Sequence, residues 1–145
     1  MAHAPDVPDV YEQCQAWPRE TAEGVARYFA SALPGGSRRR LVLGCATGVN
    51  DALPLARLAA PGDQIIAGDI EDAFLARLRD RAASEGLNNI EGRTLDVTED
   101  LSSLGQFDLV SLLFVIHRLE RWEQVIDRLR RLVGPGGSFF ISEFV

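Results

Sequence analysis

Only two cysteines and two histidines occur in the 145 residues. Cys14 and Cys45 cannot build the disulfide framework of a small secreted scaffold. With His3 and His117 they show no metal-ligand spacing, so no metal is expected. No apolar run approaches the roughly 18 residues needed to cross a membrane. The opening Met1-Ala2-His3-Ala4-Pro5-Asp6 has neither a basic flank nor an apolar core. No secretory signal is visible there, and the cytoplasm is the default compartment. Positive charge is also short: 15 basic residues against 21 acidic ones give a net charge of −6. That argues against a nucleic-acid partner, which favours a basic face. The one basic run, Arg38-Arg39-Arg40, reads as a solvated cluster ahead of a buried strand. Internal repeats and low-complexity linkers are absent, so the chain reads as one domain.

What remains is ordinary globular material, 46% hydrophobic and 25% charged. Leu41-Val42-Leu43-Gly44-Cys45-Ala46-Thr47-Gly48 stands out as a short buried strand running into a turn. Gly44 and Gly48 bracket that turn, and glycine lets a backbone bend sharply or approach a ligand. Ahead of it, residues 1–17 read as irregular, with Tyr11 and Trp17 packing on the domain or forming a lid. Pro18 suits the first turn of a helix. Val25, Phe29 and Leu33 then recur at helical spacing, and Pro34-Gly35-Gly36-Ser37 ends the helix.

Strand and helix alternate after the turn. A helix is expected at roughly 50–60, and a second strand at Gln64-Ile65-Ile66-Ala67-Gly68 ends in Asp69. Phe74, Leu75, Leu78 and Ala82 form the next helical stripe, closed by Gly86. A third strand at about 90–95 ends in Asp96, and 99–105 reads as a loop or short helical turn. Residues 107–115 are apolar with little alternation, as in a parallel strand covered on both faces. Trp122, Val125, Ile126, Leu129, Leu132 and Val133 give a helix face. Gly134-Pro135-Gly136-Gly137 reads as a turn, and 138–145 as the last strand. The order predicts a doubly wound α/β fold, a mostly parallel Rossmann-like sheet with helices on both faces.

Such sheets bind ligands outside the carboxyl ends of their strands. Asp69 follows the glycine turn by about 20 residues, the spacing of an acid that accepts hydrogen bonds from a ribose diol. Asp96, followed by Val97, is placed to take an exocyclic amine and cover a base. A helix cap at Asp69 or a plain turn at Asp96 accounts for either acid alone; their joint order after the turn favours a nucleoside. The third glycine of a dinucleotide fingerprint and the Gly-Lys-Ser/Thr of a phosphate loop are both missing. The site therefore suits a nucleoside without a pyrophosphate.

These motifs resemble those of the class I S-adenosylmethionine-dependent methyltransferase family. Residues 41–48 resemble its first motif, Ala67-Gly68-Asp69-Ile70 its second, and Leu95-Asp96-Val97 its third. Phe107-Asp108-Leu109-Val110 with Phe114-Val115-Ile116-His117-Arg118-Leu119 resembles the fourth-strand motif. Arg131-Leu132-Val133-Gly134-Pro135-Gly136-Gly137 resembles the turn before the fifth strand. The match covers about residues 20–145, in family order. Two positions depart from the family: Val42 stands where it carries an acid, and Ala46 where it carries a glycine.

The resemblance implies an S-adenosylmethionine cofactor held by Gly44, Cys45, Ala46, Thr47, Gly48, Asp69, Ile70, Asp96, Val97 and Phe114. It implies an N-terminal segment over residues 1–17, a candidate lid, and a cofactor domain over 18–145. The implied activity is methyl transfer to a small-molecule acceptor. His117 is the candidate general base, with Glu120 and Glu143 behind it. A non-catalytic cofactor-binding module, or a piece of a larger methyltransferase, is the alternative. The family fold continues past the fifth strand, so this strand is expected to be an open edge, which invites a homodimer.

Overall fold

The run that ends in Gly44 is the central strand of the sheet. A computed structural model of the chain describes residues 7–31 and 38–143. In it β1 (Arg39–Leu43) follows two helices, α1 (Val7–Gln15) and α2 (Arg19–Ser31). The chain then runs through α3 (Ala52–Leu58), β2 (Gln64–Asp69), α4 (Asp72–Ser84), β3 (Ile90–Thr94), β4 (Phe107–Leu113), α5 (Trp122–Arg130) and β5 (Val133–Ser142). Short 3-10 turns at Ser102–Leu104 and Ile116–Arg118 flank β4. The strand order is β3-β2-β1-β4-β5, and every neighbouring pair is parallel. The order reverses between β1 and β4, which is where such a sheet opens a crevice at its carboxyl edge.

Side-chain alternation along β1 divides the core. Val42 faces one layer, packed with Phe29 of α2, Leu55 of α3 and Leu75 and Leu78 of α4. Leu41 and Leu43 face the other, packed with Val125 and Leu129 of α5. The period of 2 in a strand dictates this split, and burial on both faces explains the apolar runs Leu41–Leu43 of β1 and Leu109–Val110 and Leu112–Leu113 of β4.

Several local expectations change. Residues 7–15 are helical, not irregular: Val7, Val10, Tyr11 and Cys14 recur at helical spacing, and Pro8 sits in the first turn, where it removes no needed hydrogen bond. Leu33 and the Pro34–Ser37 stop lie outside the described residues. The glycine segment 134–137 is not a turn before β5 but a bulge within it. Phe107 pairs with Val133 and Leu109 with Ser138, so the intervening residues of β5 loop out. Gly137 belongs there because a Cβ would lie 2.8 Å from the Asp108 carbonyl oxygen.

The arginine run is not a solvated cluster. Arg40 is fully buried, its Nη2 3.0 Å from Asp63 Oδ2. Asp63 also accepts the backbone N–H groups of Arg38 and Ala60. Desolvation lowers the Arg40 guanidinium's affinity for its proton, and the Asp63 carboxylate opposes that shift. Arg39 lies 4.4 Å over the Phe107 ring and donates to the Gln106 and Leu104 carbonyls. Buried charges survive only when paired and hydrogen-bonded. The arginines therefore clamp β1 to the loops at the amino end of the sheet, away from the crevice.

Candidate active site

The turn after β1 is built from positive φ angles. Gly44, Ala46 and Gly48 have φ of 70°, 47° and 80°. Gly44 and Cys45 donate their N–H groups to the Gly68 carbonyl at the end of β2 (2.9 and 3.2 Å). Ala46 donates to Asp69 Oδ2 (2.9 Å), and Asp69 Oδ1 accepts the Glu71 N–H (3.0 Å). Gly44 is required sterically: a Cβ there would run into Val115 Cγ2 and stand 2.7 Å from the Leu113 carbonyl oxygen.

A cavity of about 370 Å³ opens over this turn. Gly44, Ala46, Asp69, Ile70 and Phe114 line it, as do Leu113 at the end of β4 and Val115 and Arg118 beyond it. Cys45, Thr47 and Gly48 are buried behind the turn. Cys45 packs in the α2–α4 layer, and burial, then Asp51 and Asp69, pushes its thiol well up. Asp96 closes a turn of its own: its Oδ1 accepts the Thr98 N–H (2.9 Å) and hydroxyl (2.6 Å), which lowers its pKa. Val97 packs in the α5 layer. His117 is exposed in the middle of the 3-10 turn after β4, with Nδ1 2.7 Å from Glu143 Oε1. Neither Asp96, Val97 nor His117 is among the lining residues.

Sequence reasoning offered Tyr11 in a candidate lid but not the helix that makes one wall of the cavity. Val7, Val10, Tyr11, Cys14 and Gln15 of α1 close the cavity on the side of α4, where Glu71 and Phe74 also contribute. Opposite charges hold α1 there: Arg77 lies 2.8 Å from Asp9, and Arg81 2.6 Å from Glu12. Tyr11 packs on Phe74, and Trp17 meets Phe114 edge-on. Asn50, buried next to the turn, ties the segment down. Its Oδ1 accepts the Trp17 N–H (2.7 Å), and its Nδ2 donates to the Tyr11 hydroxyl and the Gln15 carbonyl. The helical spacing at 7, 10, 11 and 14 was the available signal.

Beneath the turn, Asp51 caps α3 through Oδ1, which accepts the Ala52 N–H. Its Oδ2 is buried and has no hydrogen-bond partner among the described residues. Desolvation pushes its pKa up to about 8. Burial raises the Tyr11 hydroxyl as well, with Asp51 the largest charge contribution.

Two measurements test this local chemistry. Ala46 carries a Cβ in the left-handed region, which costs about 1–2 kcal/mol; glycine gives back part of that in unfolded-chain entropy. Ala46→Gly should raise the urea midpoint, by about 0.5–1 kcal/mol of stability. A lowered midpoint would show that packing of the methyl group outweighs the strain. Asp51 ionises near 3.8 when unfolded and near 8 when folded. Between those values the folded chain holds the extra proton, so this residue makes stability fall as pH rises from about 4 to about 8, then level off. Asp51→Asn keeps the acceptor for Ala52 and cannot ionise. Its stability relative to the unsubstituted chain should grow with pH, by at least about 1 kcal/mol at pH 8, and converge near pH 4. Thermal denaturation across that range reads the difference, and parallel curves would refute the buried acid.

Comparison with known proteins agrees with this geometry. A family model described as a methyltransferase domain matches residues 41–139. The chain is 32% identical over 118 residues to the ubiquinone/menaquinone biosynthesis C-methyltransferase UbiE of Pseudomonas putida (strain GB-1), covering 80% of this chain and 46% of that protein. It is 31% identical over 107 residues to the demethylmenaquinone methyltransferase of Thermus thermophilus, covering 71% of this chain and 46% of that protein. The chain thus spans about half the length of the curated relatives it matches. Among solved structures, the N-terminal domain of EvdMO1 with SAH bound superposes with a TM-score of 0.69 at 30% identity, over 77% of this chain and 46% of that one. The CcbJ methyltransferase from Streptomyces caelestis superposes at 0.76 and 23% identity, over 94% of this chain and 55% of that one, a likeness of fold alone. With its parallel sheet, its crevice at the β1/β4 reversal and its motifs in family order, the chain belongs to the methyltransferase domain family, of the class I S-adenosylmethionine-dependent kind.

Proposed function

We propose that the chain binds S-adenosylmethionine in the cavity over the β1 turn and transfers its methyl group to a small-molecule acceptor. The observation that carries this is the Gly44–Ala46 turn and the Asp69 carboxylate lining one cavity in a chain of this family. The backbone at Gly44 and Ala46 would meet the cofactor, with Asp69 taking the ribose hydroxyls. Both Asp69 oxygens hold a backbone N–H and keep a further lone pair each. Ile70 and Phe114 would supply apolar walls. Asp96 and Val97 would reach the adenine from the β3 end. The sulfonium supplies an already electrophilic methyl group. The protein's task is alignment, worth up to about 7–11 kcal/mol in favourable intramolecular models. The relatives' printed names make carbon methylation of a quinone precursor the nearest chemistry to test. The acidic net charge supports a small molecule over nucleic acid.

His117 acts as the general base where the acceptor must lose a proton. The Glu143 carboxylate at Nδ1 supports this. It favours the tautomer with the proton on Nδ1, leaving Nε2 as the acceptor. The α1 segment acts as the lid, latched by Asn50 and by the Arg77 and Arg81 ion pairs. No helix among the described residues is long and apolar enough to cross a membrane.

Calorimetric titration with S-adenosylmethionine and S-adenosylhomocysteine tests the cofactor. A Trp122→Phe variant, which leaves Trp17 as the sole tryptophan, should change its fluorescence in the same titration as the lid responds. His117→Ala is expected to lower kcat about 10²-fold or more while leaving cofactor affinity intact. Absence of binding would overturn the reading, and binding with no transfer across a broad acceptor panel would reduce it to a non-catalytic module.

The same reading keeps β5 as the contact for a second copy. β5 lies at the sheet edge, and Ile141 on it is 42% exposed. An open edge strand offers unpaired backbone groups to another chain. Sedimentation equilibrium at micromolar concentration should give a dimer mass, and Ile141→Lys should return it to monomer; a monomeric mass for the unsubstituted chain sinks the idea.

A further inference from the structure

A second groove, of about 480 Å³, adjoins the cofactor cavity. Thr98, Arg118, Leu119, Glu120, Arg121, Gln124, Val125 and Arg128 line it, and Arg118 lines both spaces. Its charge is out of keeping with the chain. Three arginines face one acid here, in a protein whose overall balance is −6. Most other arginines of the described residues are committed to ion pairs or carbonyls, as Arg40, Arg57, Arg77 and Arg81 are. Arg118 and Arg121 make no hydrogen bond or ion pair to any described residue through their side chains, and Arg128 spends one nitrogen on the Thr98 carbonyl. The amino end of α5 opens beside them. Arg121 is its N-cap and supplies no side-chain hydrogen bond, so the first-turn N–H groups have no side-chain cap.

We propose that this groove binds an anionic group, a carboxylate or phosphate, carried by the methyl acceptor. Planar guanidinium forks fit such oxyanions in bidentate geometry, and a helix amino end adds N–H donors and a favourable dipole. Arg118 then sits at the junction. The anion anchors one end of the acceptor in the groove, and the rest extends past Arg118 toward the cavity floored by Gly44 and Ala46. Glu120 and Glu123 limit how much negative charge the site takes, which favours one oxyanion over a polyanion. The acceptor half of this inference rests on the methyl-transfer reading; the anion site does not.

The test begins without turnover. Arginine Nε–H resonances are followed in the intact chain as inorganic phosphate is added at constant ionic strength. Saturable shifts at Arg118, Arg121 and Arg128 are expected, with Arg27, exposed on α2, unmoved. Arg121→Gln should weaken phosphate roughly tenfold, the loss of one charge-assisted contact, and leave S-adenosylhomocysteine affinity within about twofold. Arg118→Gln with Arg121→Gln should abolish saturation. Linear shifts shared by Arg27 would overturn the site. In the second arm, carboxylate acceptors and their matched amides compete for methyl transfer. A preference of about tenfold or more for the acids, erased by Arg121→Gln, supports the acceptor assignment. Equal rates would assign the groove to free anions and overturn that half, as would a failure to bind S-adenosylhomocysteine, which leaves the phosphate result standing.

Discussion

Everything at the carboxyl edge depends on how Asp69 and Gly68 hold the turn after β1. Three residues there take positive φ, and one of them is not glycine. One bond within the turn, from the Gly48 N–H to the Cys45 carbonyl (2.8 Å), closes it, and the rest of its support comes from β2. The Gly68 carbonyl takes two of its N–H groups and the Asp69 carboxylate a third. Both acceptors arrive because β1 and β2 pair with Leu43 opposite Gly68. A slip of one residue would invert the faces of β2 and move both acceptors away. Gly68 is itself constrained, since a Cβ would lie 2.7 Å from Leu95 Cδ1. The shape of the cavity is therefore fixed by strand register before any ligand is considered.

The N-terminal segment is tied to the same point. Asn50 follows the turn by two residues and binds α1 and the start of the next segment through both ends of its amide. A change in the turn is thus felt by the wall opposite it, through one buried side chain. The ion pairs with α4 are partly exposed and individually weak. They set the direction in which α1 lies more than they set its stability, while Tyr11 on Phe74 supplies the apolar contact. The lid proposed above would open by releasing these few contacts, none of which belongs to the sheet.

The sheet was legible because parallel strands buried on both faces leave an unmistakable apolar record, as at Leu41–Leu43 and Phe107–Leu113. The strand ends were legible because glycine and aspartate there answer to backbone geometry. What stayed hidden was set by distant partners. Arg40 reads as solvent-exposed until Asp63, 23 residues on, is brought beside it. The 134–137 segment reads as a turn because four turn-forming residues can equally loop out of a strand that continues on both sides. In α1, proline near the start masked a helical spacing short enough to be missed. Asp96 shows the limit at the site itself: its place after β3 is readable, but its commitment to Thr98 is not.

Charge is distributed across the site in a way that composition cannot reveal. Two acids lie at the turn, Asp69 beside the cavity and Asp51 beneath it; burial pushes the Asp51 pKa up to about 8, and the Asp69 charge adds to that shift. A cation entering over the turn relieves that crowding, and the bound cofactor of this family carries a sulfonium. The unpaired arginines lie on the other side, after β4 and at the amino end of α5. On the functions proposed above, the methyl donor and its acceptor would be drawn to two adjoining spaces that share Arg118. Electrostatics of this kind contribute more to orientation than to affinity. Orientation is also what a methyl transfer with a preactivated donor most requires. On those proposals the two substrates would be separated by sign of charge, with Arg118, which lines both spaces, where the two fields meet.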